Sequence, residues 1–397
     1  MVISKRVSQI SPSPTLSITA KAKKMKIEGI NVIGFGAGEP DFDTPLNIKE
    51  AAKEALDKGF TKYTPTSGIR ELKEAIIEKL KKDNGLEYFP EEILVSCGAK
   101  HSIFNALLTL CEEEDEVILP SPYWVSYLEM IKITGAKAVL LKTDWKNNFK
   151  IDPQQLERVI TPKTKLLILN TPSNPTGMVY TKKELTAISE ILIKRSIFCL
   201  SDEIYEKLIY DGYKHVSIAS LGGGIKNLTI VINGVSKAYS MTGWRIGYAA
   251  GPKEIIQAMS NLQDHSTSNP TSIAQYASIE ALRGIQEDLR KMVEEFDKRR
   301  RYIVERINSI NEVKVIKPNG TFYCWVNVKN LYGKSYNGCL IKDSLSLAEL
   351  LLSEAKIAVV PGCVFGDDDY IRISYALSME DIVEGINRFE EFISKLC

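Results

Sequence analysis

The chain has 397 residues, with 51 Lys and Arg against 50 Asp and Glu, 44% hydrophobic residues and 25% charged ones. A chain of this composition buries a core without disulfide or metal staples, and its length predicts two or three domains. A net charge of +1 with both signs interspersed excludes the large basic surface that nucleic acid or an anionic membrane requires, so small-molecule chemistry is the default.

Seven cysteines, at 97, 111, 199, 324, 339, 363 and 397, never form a Cys-x-x-Cys pair and read as a reducing compartment without a zinc site. The three histidines, 101, 215 and 265, are too scattered for a local metal or catalytic motif, and no metal is expected. The N-terminus lacks the apolar stretch of a signal peptide, and no run approaches the roughly 18 apolar residues of a membrane span. The expectation is a cytoplasmic protein with neither nucleic-acid nor membrane partners.

Apolar spacing of three and four predicts helices over 46–58, stopping at Gly59, and over 69–82, ending near Asn84-Gly85. Compact apolar runs at 93–96, 116–119, 138–141, 166–169, 197–200 and 228–232 alternate with helical patterns, which indicates a mostly parallel sheet covered on both faces. A long helical pattern over 285–310 contains Lys298-Arg299-Arg300-Arg301, read as a solvated face, and marks the passage into a second unit. Strands at 321–328, 357–360 and 370–374 with helices at 345–356 and 379–395 make that unit a smaller α+β one. The expected division is an N-terminal segment 1–45, a large domain 46–284 and a small domain 285–397. The acidic run 367–369 reads as a solvated loop, not a calcium site.

Ligands of open α/β sheets bind beyond the carboxyl ends of the strands, and those ends are polar here. Ser201-Asp202-Glu203-Ile204-Tyr205 follows one run; Asp202 alone reads equally as a helix cap. Another run leads into Ser236-Lys237 and then Gly243-Trp244-Arg245, two cations among small residues and hydroxyls. In Asn170-Thr171-Pro172-Ser173-Asn174-Pro175 two prolines fix the backbone around Asn174. Ser96-Cys97-Gly98-Ala99-Lys100 is a glycine bend entering a helix, suited to phosphate. Gly34-Phe35-Gly36-Ala37-Gly38 lacks the dinucleotide spacing and leads to Glu39-Pro40, which excludes a nicotinamide site. A lysine amine, an acidic partner, an aromatic platform and a phosphate loop together suit pyridoxal phosphate, whose ring accepts carbanion electrons once an anion faces its nitrogen.

These motifs, with Ala37-Gly38-Glu39-Pro40-Asp41-Phe42, Ser121-Pro122-Tyr123-Trp124 and Asn174-Pro175-Thr176-Gly177, occur in the order found in class I aminotransferases of pyridoxal-phosphate fold type I, and the chain resembles that family from Arg6 to its end. Within it the pattern resembles the bacterial aspartate aminotransferases and, still more, the plant and cyanobacterial type whose members also transaminate prephenate. The resemblance implies that Lys237 anchors pyridoxal 5′-phosphate and moves the proton. It implies that Asp202 holds the ring nitrogen protonated, that Tyr205 and Asn174 bond the ring oxygen, and that Trp124 stacks on the ring. Phosphate would be held by the N–H groups of Gly98 and Ala99, by Ser236 and Arg245, with Lys100 close by and Tyr63 supplied by the other subunit of a homodimer. One departure is Gly234, where some relatives carry serine.

For substrate, the resemblance implies that Arg372 grips the α-carboxylate with help from Gly38, Asn174 and Trp124. Lys100, with Ser13 and Thr15, would meet the side-chain carboxylate. Period-two alternation in 370–375 sets Arg372 opposite Ile371 and Ile373. The expected reaction is transfer of the amino group of aspartate to 2-oxoglutarate by a ping-pong route, with prephenate to arogenate as a second activity. The alternatives are another class I aminotransferase, a carbon–sulfur β-lyase sharing the cofactor set, and a non-enzymatic cofactor-binding regulator, for which the chain has no spare length.

Overall fold

The computed structural model describes residues 3–10 and 14–397. Its strands in chain order are β1 (Ile33–Gly34), β2 (Ile93–Ser96), β3 (Glu116–Ser121), β4 (Lys137–Lys142), β5 (Thr164–Asn170), β6 (Phe198–Asp202), β7 (Thr229–Gly234) and β8 (Gly247–Ala250). They continue with β9 (Lys314–Val315), β10 (Tyr323–Asn327), a hairpin of β11 (Ser335–Tyr336) and β12 (Cys339–Leu340), then β13 (Ile357–Ala358), β14 (Val360–Pro361) and β15 (Tyr370–Ser374).

Seven of these form one sheet in the order β2-β8-β7-β6-β5-β3-β4, with β8 alone antiparallel to its neighbours. The inner strands β5, β6 and β7 are largely apolar because both faces are covered, whereas the edge strand β4 is mostly exposed. Along β5, Leu166 and Ile168 join a core with helices 99–110 and 126–134, while Leu167 and Leu169 join the opposite core with helix 182–195. This is the expected α/β class, with β6 at its centre. Strand β8 escaped the sequence reading because Gly-Tyr-Ala-Ala shows no alternation, yet its reversal brings Gly247 level with Ser96 and Gly234.

A second sheet, β14-β15-β10-β9, is antiparallel and packs with helices 287–309, 344–353 and 379–394 in a separate core. The run expected as one strand at 357–360 divides. Ile357 and Ala358 pair in parallel with β1, whereas Val360 and Pro361 pair with β15, so the N-terminal segment is tied to the C-terminal part of the chain.

The basic run is not the solvated face expected. Lys298 and Arg301 are exposed, but helical periodicity turns Arg299 and Arg300 inward. Arg300, at 0% exposure, donates to both oxygens of Asp211 at 2.8 Å, to the Pro318 carbonyl at 2.7 Å and to Asp297, and lies 4.6 Å from the Tyr210 ring centre. Arg299 binds both oxygens of Asp41 at 2.7 and 2.9 Å, pinning the Gly38–Phe42 segment to the long helix. In the acidic run, Asp368 accepts from the Ser344 N–H at a helix start and Asp369 pairs with Lys329.

Because Arg300 is buried and its carboxylate partners are only partly covered, Arg300→Ala should destabilise the fold by about 2–3 kcal/mol, at or just below the range for a broken buried pair. An unchanged urea midpoint would contradict this.

Candidate active site

Beyond the carboxyl ends of β5, β6 and β7 lies a cleft of about 720 Å³, closed on its other side by Tyr323, Phe365 and Arg372. It gathers residues scattered through more than 300 positions of sequence, most of them at strand ends, helix starts or turns.

The first group surrounds Asp202, the last residue of β6. Its carboxylate is buried, and it accepts from Tyr127 Oη at 2.5 Å and from the Ile204 N–H at 3.2 Å. Burial pushes its pKa up to about 6, opposed by those hydrogen bonds and by Lys237. Tyr205, three residues on, is buried with its hydroxyl 3.0 Å from that of Tyr323. Asn170, at the end of β5, donates from its side chain to the Asp202 carbonyl (3.0 Å) and accepts from the Asn174 N–H (2.8 Å), so it sets the Asn174 turn against the Asp202 strand.

Lys237 follows β7 by three residues, and its Nζ donates to the Gly38 carbonyl at 2.5 Å. The walls of the cleft lower its pKa to about 8; Arg372 and Arg245 add to this, and the carboxylates of Glu39 and Asp202 oppose it. Glu39 is in turn held by the Thr242 hydroxyl at 2.7 Å. Every member of the Gly38–Phe42 motif except Pro40 thus has a definable task, with Phe42 edge-on to Phe296 at 5.2 Å.

At the other end of the cleft is a glycine-lined cradle. Gly98, at φ +90°, precedes helix 99–110, and a Cβ on it would fall 2.3 Å from Arg245 Nη2. A Cβ on Gly247 would fall 2.1 Å from the Ala99 nitrogen. Arg245 is aimed across this cradle by bonds to the carbonyls of Thr242 (2.8 Å) and Cys97 (3.2 Å), and Ser236 also faces the cleft. Of the two N–H groups expected to meet phosphate, that of Gly98 turns to the Ser96 carbonyl at 2.7 Å, leaving the Ala99 N–H at the helix start. A helix N-terminus, a hydroxyl and a guanidinium around a space that only glycine leaves open fit a phosphate monoester.

Arg372, in the middle of β15, is buried and donates to Asn174 Oδ1 at 3.0 Å and to the Gly36 carbonyl at 3.1 Å, with its guanidinium 4.3 Å from the Tyr323 ring centre. Its Nε has no partner among the described residues. Lys100 also faces the cleft, 4.9 Å from the centre of the Trp124 ring, and burial followed by Arg245 lowers its pKa. Four cations, Lys100, Lys237, Arg245 and Arg372, therefore face two carboxylates, Glu39 and Asp202. Such a cleft suits a multiply anionic guest.

Gly38, Ala99, Lys100, Trp124, Asn174, Asp202, Tyr205, Ser236, Lys237, Arg245 and Arg372 all line this one cleft. Tyr63 does not: it is 91% exposed in the turn before helix 70–84. Ser13 lies outside the described residues, and of Thr15 only the helical backbone over Pro14–Ile27 is described. Sequence reasoning missed Tyr127, Tyr323 and Asn170. Tyr127 stands one helical turn beyond Trp124, a spacing that was legible. Tyr323 became visible only through the pairing of β10 with β15.

A donor set of one lysine, one buried carboxylate, a phosphate cradle and an arginine fork defines an amine-transferring pyridoxal phosphate centre, and residues 30–389 match the family model for aminotransferase class I and II. The chain belongs to that family, and its cofactor is pyridoxal phosphate. It is 50% identical to the aspartate aminotransferase of Bacillus subtilis over 395 residues, covering 100% of both chains. It is 46% identical to the aspartate/prephenate aminotransferase of Nitrosomonas europaea, covering 99% of this chain and 100% of that one. Among solved structures, the aspartate aminotransferase of Rhizobium meliloti superposes with a TM-score of 0.97 at 43% identity, covering 100% of each.

The lowered pKa of Lys237 has a definite sign. A lysine neutral in the fold and protonated in the unfolded chain adds stability as pH rises from about 8 towards its ordinary 10.5, and none of this is present below about 8. Only the neutral amine is a nucleophile, so capture of pyridoxal phosphate by the apoprotein should accelerate with pH up to about 8 and then level off. Stopped-flow absorbance measures this, and a midpoint near 10.5 would contradict it.

Proposed function

We propose that this enzyme is an aspartate aminotransferase, passing the amino group of L-aspartate to 2-oxoglutarate in two half-reactions, with prephenate as an additional acceptor. The observation that carries this reading is the convergence in one cleft of Lys237 and Asp202 with two further cations, Arg372 and Lys100, for the two carboxylates of a dicarboxylic substrate. The names of the Bacillus and Nitrosomonas relatives support it.

Pyridoxal phosphate, when bound, supplies a ring that accepts the electrons of the substrate's α-carbon. The protein does the rest. Ala99 N–H, Ser236 and Arg245 would hold the phosphate, Trp124 would cover the ring, and Tyr205 and Asn174 would donate to its oxygen. Asp202 would keep the ring nitrogen protonated. Lys237 would anchor the cofactor and serve as the base that moves the substrate's α-proton, a task suited to an amine whose pKa is lowered to about 8. Arg372 clamps the α-carboxylate through a planar fork that lysine does not offer. Lys100 selects the second carboxylate, with Ser13 and Thr15 completing that subsite. The division at residues 46 and 285 into large and small domains, and a cytoplasmic site of action, belong to the same proposal; no described helix is long and apolar enough to cross a membrane.

Single-turnover absorbance with aspartate, glutamate and arogenate added separately tests the substrate reading. Loss of the visible cofactor band is expected with all three in the wild type and with none in Lys237→Ala. Conversion by aspartate and glutamate alone would remove prephenate, and conversion by none would remove the dicarboxylate assignment.

The exposed Tyr63 fits a role in a neighbouring active site, so the reading includes a homodimer with shared sites. Sedimentation at micromolar concentration should give a dimer; a fully active monomer would refute shared sites.

A further inference from the structure

We propose that Tyr127 is a positioning residue of the reaction centre: its phenolic O–H, donated to Asp202 Oδ2, fixes that carboxylate and keeps it ionised toward the cofactor's ring nitrogen. The inference rests on the assignment of Asp202 to that nitrogen and adds a residue to it.

The geometry is specific. Tyr127 sits in the first turn of helix 126–134, one turn beyond Trp124, with the two rings edge-on at 5.2 Å. One helix start therefore carries both the platform for the ring and the donor to its counter-ion. The O···O distance of 2.5 Å is that of a charge-assisted bond. The Tyr127 ring is buried in an apolar core with Val117, Leu119, Ile168 and Leu200, where phenylalanine would pack equally well. Among the described residues, Asp202 is the group that accepts from the hydroxyl.

A carboxylate at the end of a central strand needs such a partner. Burial raises the pKa of Asp202 towards neutrality, and the Tyr127 bond is the largest opposing influence. The titratable and charged groups acting on Asp202 are Glu203, the next residue in the chain, which disfavours ionisation, Lys237 beyond β7, which favours it, Tyr127 on the neighbouring helix, and Tyr205 beside it. Tyr127 is the one that both touches the carboxylate and points a proton at it.

The test uses the holoenzyme and its absorbance. In Tyr127→Phe the Asp202 carboxyl protonates more readily and the ring nitrogen loses its anion. A less positive ring holds the proton of the cofactor–lysine chromophore more tightly. The pH midpoint of the visible absorbance should rise by about one unit, and kcat should fall about tenfold with KM within about twofold. Tyr127→His, which restores a donor on a smaller ring, should recover part of both effects. Tyr180→Phe removes another buried hydroxyl, one bonded to the Ile151 N–H at 2.9 Å and not to Asp202, and should leave the midpoint in place.

Two results would overturn the proposal in distinguishable ways. If Asp202→Asn moves the midpoint and neither Tyr127 variant does, Tyr127 merely packs. If Asp202→Asn leaves the midpoint unmoved, the assignment of Asp202 itself fails.

Discussion

A carboxylate taken out of water at the end of β6 is the constraint around which the site is arranged. Left alone there it would take up a proton, because desolvation disfavours the charge. The surroundings counter this with the Tyr127 hydroxyl, the Ile204 N–H and the Lys237 ammonium. Each comes from a different segment, so keeping Asp202 charged requires that the sheet, the helix after Trp124 and the turn after β7 all be in register.

The same logic of charge in a confined space governs the rest of the cleft. Burial, with Arg372 and Arg245 beside it and Glu39 as the main counterweight, leaves the proton of Lys237 loosely bound. The fork of Arg372 is held in place because Asn174 and the Gly36 carbonyl take two of its donors and Tyr323 supports its face. These contacts join three sheets: Asn174 follows β5, Gly36 follows β1 and Arg372 lies in β15.

The Gly38–Phe42 segment is the second connection between the two parts of the chain. Its Gly38 carbonyl touches Lys237, Glu39 meets Thr242, and Asp41 meets Arg299 of the long helix. A run of residues with little regular structure is thus fixed by side-chain bonds at both ends. That explains why Arg299 is buried in a basic sequence that reads as a solvated surface. The charge pattern alone gives no sign of it, because the partners lie 258 residues away.

The sequence by itself determined the fold class, the positions of most strands and helices, and most of the residues that line the cleft. Apolar runs buried on both faces need no tertiary information to be read, and Lys237, Asp202, Asn174 and Arg372 stand in short motifs whose residue types already suggest cofactor and substrate chemistry. Tertiary structure alone decided which side chains meet. The reversal of β8 brought Gly247 against the Ala99 nitrogen, the split at Val359 tied β13 to β1, and the pairing of β10 with β15 set Tyr323 under Arg372. Those contacts depend on strand order and register, which arise from packing over hundreds of residues, whereas periodicity and motif spacing report only on a segment's own neighbours.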